Sequence, residues 1–77
     1  MFHLFSYRLI RLYPKTVEQL NLIGNWENNE DFDVWGRIKN TQETVTVLLS
    51  PFAYLKYKVA FENELIAFEI IDDNIQK

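Results

Sequence analysis

Glu43-Thr44-Val45-Thr46-Val47-Leu48-Leu49-Ser50-Pro51 is the stretch that decides how this chain folds. Its first seven residues are rich in β-branched side chains and form the clearest strand in the sequence. Ser50 then offers a hydroxyl cap. Pro51 follows at the first helical position, where a missing N–H costs nothing. A strand running straight into a helix fixes the phase of the elements on both sides.

Downstream, the helix should span 51–63, and Leu65-Ile66-Ala67-Phe68-Glu69-Ile70-Ile71 should form a strand over 65–71, ended by Asp72-Asp73-Asn74. Upstream, Phe32-Asp33-Val34-Trp35 reads as a strand within 31–36, stopped near Gly36 and joined onward by the polar connection Arg37–Gln42. Further back, residues 6–13 form a strand with imperfect alternation. Tyr7, Leu9 and Arg11 share one face, Arg8, Ile10 and Leu12 share the other, and Pro14 ends the ladder. Thr16 with Gln19 three residues on is a capping-box signature, so a helix should cover 17–28 with Gln19, Leu22, Ile23 and Trp26 on one side. Gly24 costs that helix about 1 kcal/mol relative to alanine, which implies close packing or an early end. The order β-α-β-β-α-β is an α+β arrangement, the ferredoxin-like open sandwich: a four-stranded antiparallel sheet with two helices on one face.

Seventy-seven residues allow one domain, 1–77, with 1–5 as a frayed terminus. Hydrophobic residues make up 48% and aromatics 16%, too many for a disordered chain. Eight basic against 11 acidic residues leave a net charge of -3, which argues against nucleic acid. No apolar run is long enough to span a bilayer, so no membrane partner is expected. Met1–Phe5 is too short, and too broken by His3, to be a signal sequence. The chain has no cysteine, which leans towards the cytosol or towards a domain supported by a larger neighbour.

Catalysis needs convergent groups, and few are offered. His3 is the only histidine and has neither a second histidine nor a thiolate to complete a metal site, so no metal and no cofactor are expected. Ser6 and Ser50 stand at a strand start and a helix cap, without a flanking nucleophile motif. Glu27, Glu30, Asp31 and Asp33 form one acidic stretch, and Asp72 and Asp73 another, but the spacing of a calcium loop is missing. Two glycines cannot build a phosphate loop. The strand Glu43–Leu49 carries no aromatic side chain on which a base could stack.

The second helix is unusual. On a 3.6-residue wheel Phe52, Leu55 and Val59 form one apolar stripe, and Tyr54, Tyr57 and Phe61 form another nearly opposite. A helix that covers a sheet needs only one of them. We expect Tyr54, Tyr57 and Phe61 to supply a second interface.

Several stretches resemble the activation segment of digestive-type metallocarboxypeptidases. Ile10-Arg11-Leu12-Tyr13-Pro14 followed by Thr16-Val17-Glu18-Gln19-Leu20 is similar to the family's opening strand, its proline and the start of its first helix. Asp33-Val34-Trp35 resembles an Asp-Phe-Trp that closes the second strand, with Val34 in place of the phenylalanine. Glu43-Thr44-Val45-Thr46-Val47 resembles the third strand. Ile66-Ala67-Phe68-Glu69-Ile70-Ile71 and Asp73-Asn74-Ile75-Gln76 resemble the last strand and the lead into the connector. Three departures stand out. Asp72 replaces an apolar residue, which should shorten the last strand, and Ser50-Pro51 shifts the register of a strand exit. The chain also stops at Lys77, before the family's connecting helix and cleavage site.

The resemblance implies a non-catalytic prodomain, excised or stand-alone, that sterically covers the active site of a zinc carboxypeptidase and assists its folding. Its partner would be the mature metallocarboxypeptidase domain, of the same precursor or in trans, and it would be secreted. Asp33, Trp35, Gly36, Arg37 and Ile38 are the positions that would touch the enzyme. Trp35 would be the anchor and Asp33 a partner for a cation. Some relatives that act on basic C-terminal residues carry an aspartate where this chain has Ile38, so the apolar Ile38 points to an enzyme preferring apolar ones. Trp35 could instead pack under the first helix against Trp26 or Leu22. The competing reading is a ferredoxin-like protein-binding or homo-oligomerisation module unrelated to peptidases, in which the second aromatic stripe forms a homodimer face.

Overall fold

A computed structural model describes residues 6–38 and 44–76. The elements follow the expected order: β1 (Ser6–Tyr13), α1 (Val17–Trp26), β2 (Asp33–Ile38), β3 (Thr44–Leu49), α2 (Pro51–Asn63) and β4 (Ala67–Gln76). The four strands form one antiparallel sheet in the order β2-β3-β1-β4. Ile10 and Leu12 of β1 and Val45, Val47 and Leu49 of β3 share a core with Ile23 of α1 and with Ala53, Tyr57 and Phe61 of α2. Both helices therefore lie on one face of the sheet, as expected. His3 and Glu43, with the centre of the β2–β3 connection, lie outside the described residues.

The helix starts are built from the residues that announced them. Thr16 Oγ1 accepts from the Gln19 N–H at 3.1 Å, and Gln19 Oε1 accepts from the Lys15 N–H at 2.7 Å. Gln19 Nε2 also reaches the carbonyls of Glu64 (3.1 Å) and Leu65 (3.2 Å), tying the start of α1 to the end of α2. Ser50 Oγ caps α2 by accepting from the Ala53 N–H at 3.1 Å.

The ends differ from expectation. α1 stops at Trp26 rather than at 28, and successive turns carry the chain to Phe32 through bonds such as Asn29 N–H to the Trp26 carbonyl at 2.9 Å. Close packing does not explain Gly24, because a Cβ built there would meet nothing within 4 Å and its φ is not positive. Gly24→Ala should therefore stabilise the domain by about 0.5–1 kcal/mol, read as a higher urea midpoint with an unchanged slope.

The last strand begins at Ala67, two residues later than expected, because Leu65 and Ile66 close α2. The Ile66 N–H bonds to the Phe61 carbonyl at 2.9 Å and the Leu65 N–H to the Glu62 carbonyl at 3.2 Å. This is a Schellman closure, with Leu65 in the left-handed position at φ 57° where glycine is normally found. Leu65 is 84% exposed, so its side chain returns little packing for that strain. Leu65→Gly should raise stability by about 1 kcal/mol in the same unfolding assay.

β4 also continues past Ile71 to Gln76 instead of ending at Asp72-Asp73-Asn74. Ile10 pairs with Ile70 and Leu9 with Asp72, so Ile71 is an extra residue. A second shift follows before Tyr7 pairs with Ile75. Such bulges let an edge strand carry carboxylates outward without breaking the ladder. Asp72 Oδ1 accepts from the Asn74 N–H at 2.9 Å, within the irregular stretch.

Candidate functional site

β2 forms one edge of the sheet, bonded only to β3. Asp33 pairs with Leu48 and Val34 with Val47. The register then slips, Gly36 faces Thr46, and Trp35 is the bulged residue. Val34 packs on the core. Its neighbour Trp35 is turned away from the core, because successive strand residues point to opposite faces. Trp35 is 56% exposed, and its Nε1–H donates to Asp33 Oδ2 at 3.3 Å, which holds the indole along the strand. Trp35 is thus not packed under α1. That place belongs to Trp26, whose ring stands 5.9 Å from Phe32 and 5.6 Å from Phe61.

Gly36 is exposed, and a Cβ there would meet nothing within 4 Å. Arg37 and Ile38, expected in the connection, instead extend β2 by two residues opposite Val45 and Thr44. The structure thus brings Asp33, Trp35, Gly36, Arg37 and Ile38 together along one bulged edge strand, on which Trp35 and Gly36 are exposed.

The two stripes of α2 are placed the other way round from expectation. Tyr57 and Phe61 are buried in the core, with Tyr54 packed against it, and so cannot form a second interface. Phe52, Leu55 and Val59 are the exposed set. The inward stripe prevails because it meets the aromatic layer: Tyr57 stands 4.9 Å from Phe32, and Phe61 stands 5.3 Å from Phe68. Tyr54 closes this side beneath the Arg8 guanidinium, 4.7 Å from its ring centre. The Tyr57 hydroxyl also has partners, which makes its burial tolerable. It donates to Asp31 Oδ1 at 2.6 Å and accepts from Asn29 Nδ2 at 3.0 Å.

Asp31, one of the acidic stretch, is the polar hinge of this arrangement. The Lys56 ammonium donates to its other oxygen and lies 4.7 Å from the Tyr57 ring centre. The bond from Lys56, and then that from Tyr57, hold the Asp31 carboxyl below its ordinary value, while burial pushes the Tyr57 hydroxyl up. A carboxyl lowered by folding stabilises the folded state above its unfolded pKa, and that contribution fades as pH falls through the folded value. The domain should therefore lose stability in the acid range below the ordinary carboxylate pKa. Asp31→Asn should flatten that part of the profile, as read by unfolding midpoints at a series of pH values. The effect is small, because the ion pair is exposed.

An open groove of about 420 Å³ is lined by Ser6, Arg8, Pro51, Asp73 and Asn74, and the Ser6 hydroxyl donates to Asn74 Oδ1 at 3.1 Å. Among the described residues no group of three metal-ligating side chains forms. No helix among them is long and apolar enough to cross a membrane.

The fold is similar to that of a solved structure, the crystal structure of the carboxypeptidase A from Helicoverpa armigera, with a TM-score of 0.78 and 15% identity. The match covers 92% of this chain and 17% of that one, so this chain spans about a sixth of the carboxypeptidase's length. No curated protein matches the sequence. The family model for the carboxypeptidase activation peptide matches residues 10–77, from the first core position of β1 to the end of the chain. With most of its length matched, the chain belongs to the carboxypeptidase activation peptide family.

Proposed function

We propose that this domain is the part of a carboxypeptidase zymogen that sterically covers the active site of the mature zinc enzyme and assists its folding. The enzyme is supplied by the same precursor or in trans. Asp33, Trp35, Gly36, Arg37 and Ile38 form the contact surface. The observation that carries this reading is Trp35, a large side chain left half exposed on an edge strand and braced by Asp33. A rigid aromatic held ready at a surface loses little entropy on docking and suits the centre of an interface. Gly36 beside it leaves the backbone open to close approach. Secretion and an enzyme preferring apolar C-terminal residues follow from the same reading, the latter because position 38 is isoleucine.

Titration of the domain into a mature metallocarboxypeptidase of the A type, following hydrolysis of a C-terminal peptide substrate, tests the proposal. Hydrolysis should fall towards zero as the domain saturates the enzyme. Undiminished hydrolysis in large excess of the domain, against both A-type and B-type enzymes, would sink it.

A further inference from the structure

The outward face of α2 is apolar where a sheet-covering helix should be polar. Phe52 is 82% exposed, Leu55 63% and Val59 55%, at the i, i+3, i+7 spacing of a helix seam. They point away from the sheet, on the layer opposite the face to which Trp35 turns. The charges around them are already matched within the chain. Lys56 is paired with Asp31, and Lys58 Nζ lies 3.9 Å from Glu62 Oε2. The strip is therefore close to neutral although the chain carries -3, and it asks for no oppositely charged partner.

We infer that this face is a self-association surface, occupied by a second copy of the same chain. An antiparallel two-fold centred near Leu55 sets Phe52 of one copy against Val59 of the other and brings the two Leu55 side chains together. An isologous contact of this kind needs one self-complementary patch, and a neutral apolar stripe is one. The area is sufficient. The three side chains expose roughly 350–400 Å² of apolar surface per copy, given about 150–250 Å² for a large aromatic and less for the aliphatics. With the exposed stems of Lys56, Lys58 and Glu62 the pair buries about 1,000 Å² in all, the least that a specific but weak interface needs. Because the stripe and the β2 edge are separate, a dimer leaves Trp35 free to dock.

The test is sedimentation equilibrium of the domain alone, so that it does not depend on the enzyme. The wild-type mass should rise from the 9.3 kDa monomer towards twice that value as concentration approaches about 1 mM. Leu55→Glu, which places two carboxylates at the two-fold, should weaken association roughly tenfold or more. A second variant does not depend on Leu55→Glu folding well. The chain has no cysteine, so Leu55→Cys should form a disulfide-linked dimer under mild oxidation, and Asn21→Cys on α1 should not. A wild type that stays monomeric, or equal cross-linking at positions 21 and 55, would overturn the inference. So would a Phe52→Glu domain that self-associates as the parent does but loses its grip on a carboxypeptidase, since the stripe would then belong to the enzyme.

Discussion

Trp35→Ala is expected to weaken binding to the cognate carboxypeptidase by about thirtyfold, roughly 2 kcal/mol or more, while changing folding stability by no more than about 0.5 kcal/mol. The separation follows from where the ring stands. It is 56% exposed, its one described bond runs to its near neighbour Asp33, and the inner aromatic layer is complete without it. Removing it opens no cavity. In a complex the same ring would be enclosed, and its loss would be felt in full. Denaturant unfolding and inhibition measured on one preparation distinguish this from a packing role, in which stability would fall by about 3–5 kcal/mol. A variant that stays folded and inhibits as well as the parent rules out Trp35 as the anchor.

Phe61→Ala carries the opposite signature. Phe61 is fully buried, with ring neighbours Trp26, Tyr57 and Phe68, and its carbonyl receives the Ile66 N–H that closes α2. Truncation should cost about 3–5 kcal/mol, against a total near 5 kcal/mol for a domain of this size. The variant should be largely unfolded at 25 °C, with near-ultraviolet circular dichroism lost. Phe52→Ala, one stripe round the same helix, should change stability by less than about 0.5 kcal/mol. Equal losses at positions 52 and 61 would contradict the inside-out assignment of α2.

That assignment marks where the sequence stopped being readable. Thr16, Ser50 and Pro51 announce the helix starts through local chemistry, and the structure bears them out to the residue. The orientation of α2 depends on which stripe meets its neighbours, and a helix apolar on both sides leaves period alone undecided. One signal was available. In a Schellman closure the residue two beyond the cap packs on the residue three from the helix end, and the apolar pair Ile66 and Phe61 stands in that relation, naming Phe61 as inward. The end of β4 is not legible because Asp72 and Asp73 look like strand breakers, whereas bulges on an edge strand turn such side chains to water. On β2 the family resemblance alone points to Asp33, Trp35, Gly36, Arg37 and Ile38 as a group. That they lie on a bulged edge, and that Trp35 leans on Asp33, only the three-dimensional pairing reveals.

On the proposed reading the β2 edge covers the active site of the enzyme. Hydrogen exchange of the domain, alone and mixed with an excess of a metallocarboxypeptidase it inhibits, tests this most directly. β2 bonds on one side only, so its outward amides should exchange readily in the free domain. Amides across Asp33–Ile38 should become strongly protected in the complex, with little change along the exposed side of α2. Unchanged exchange over Asp33–Ile38, with new protection confined to α2, would contradict it.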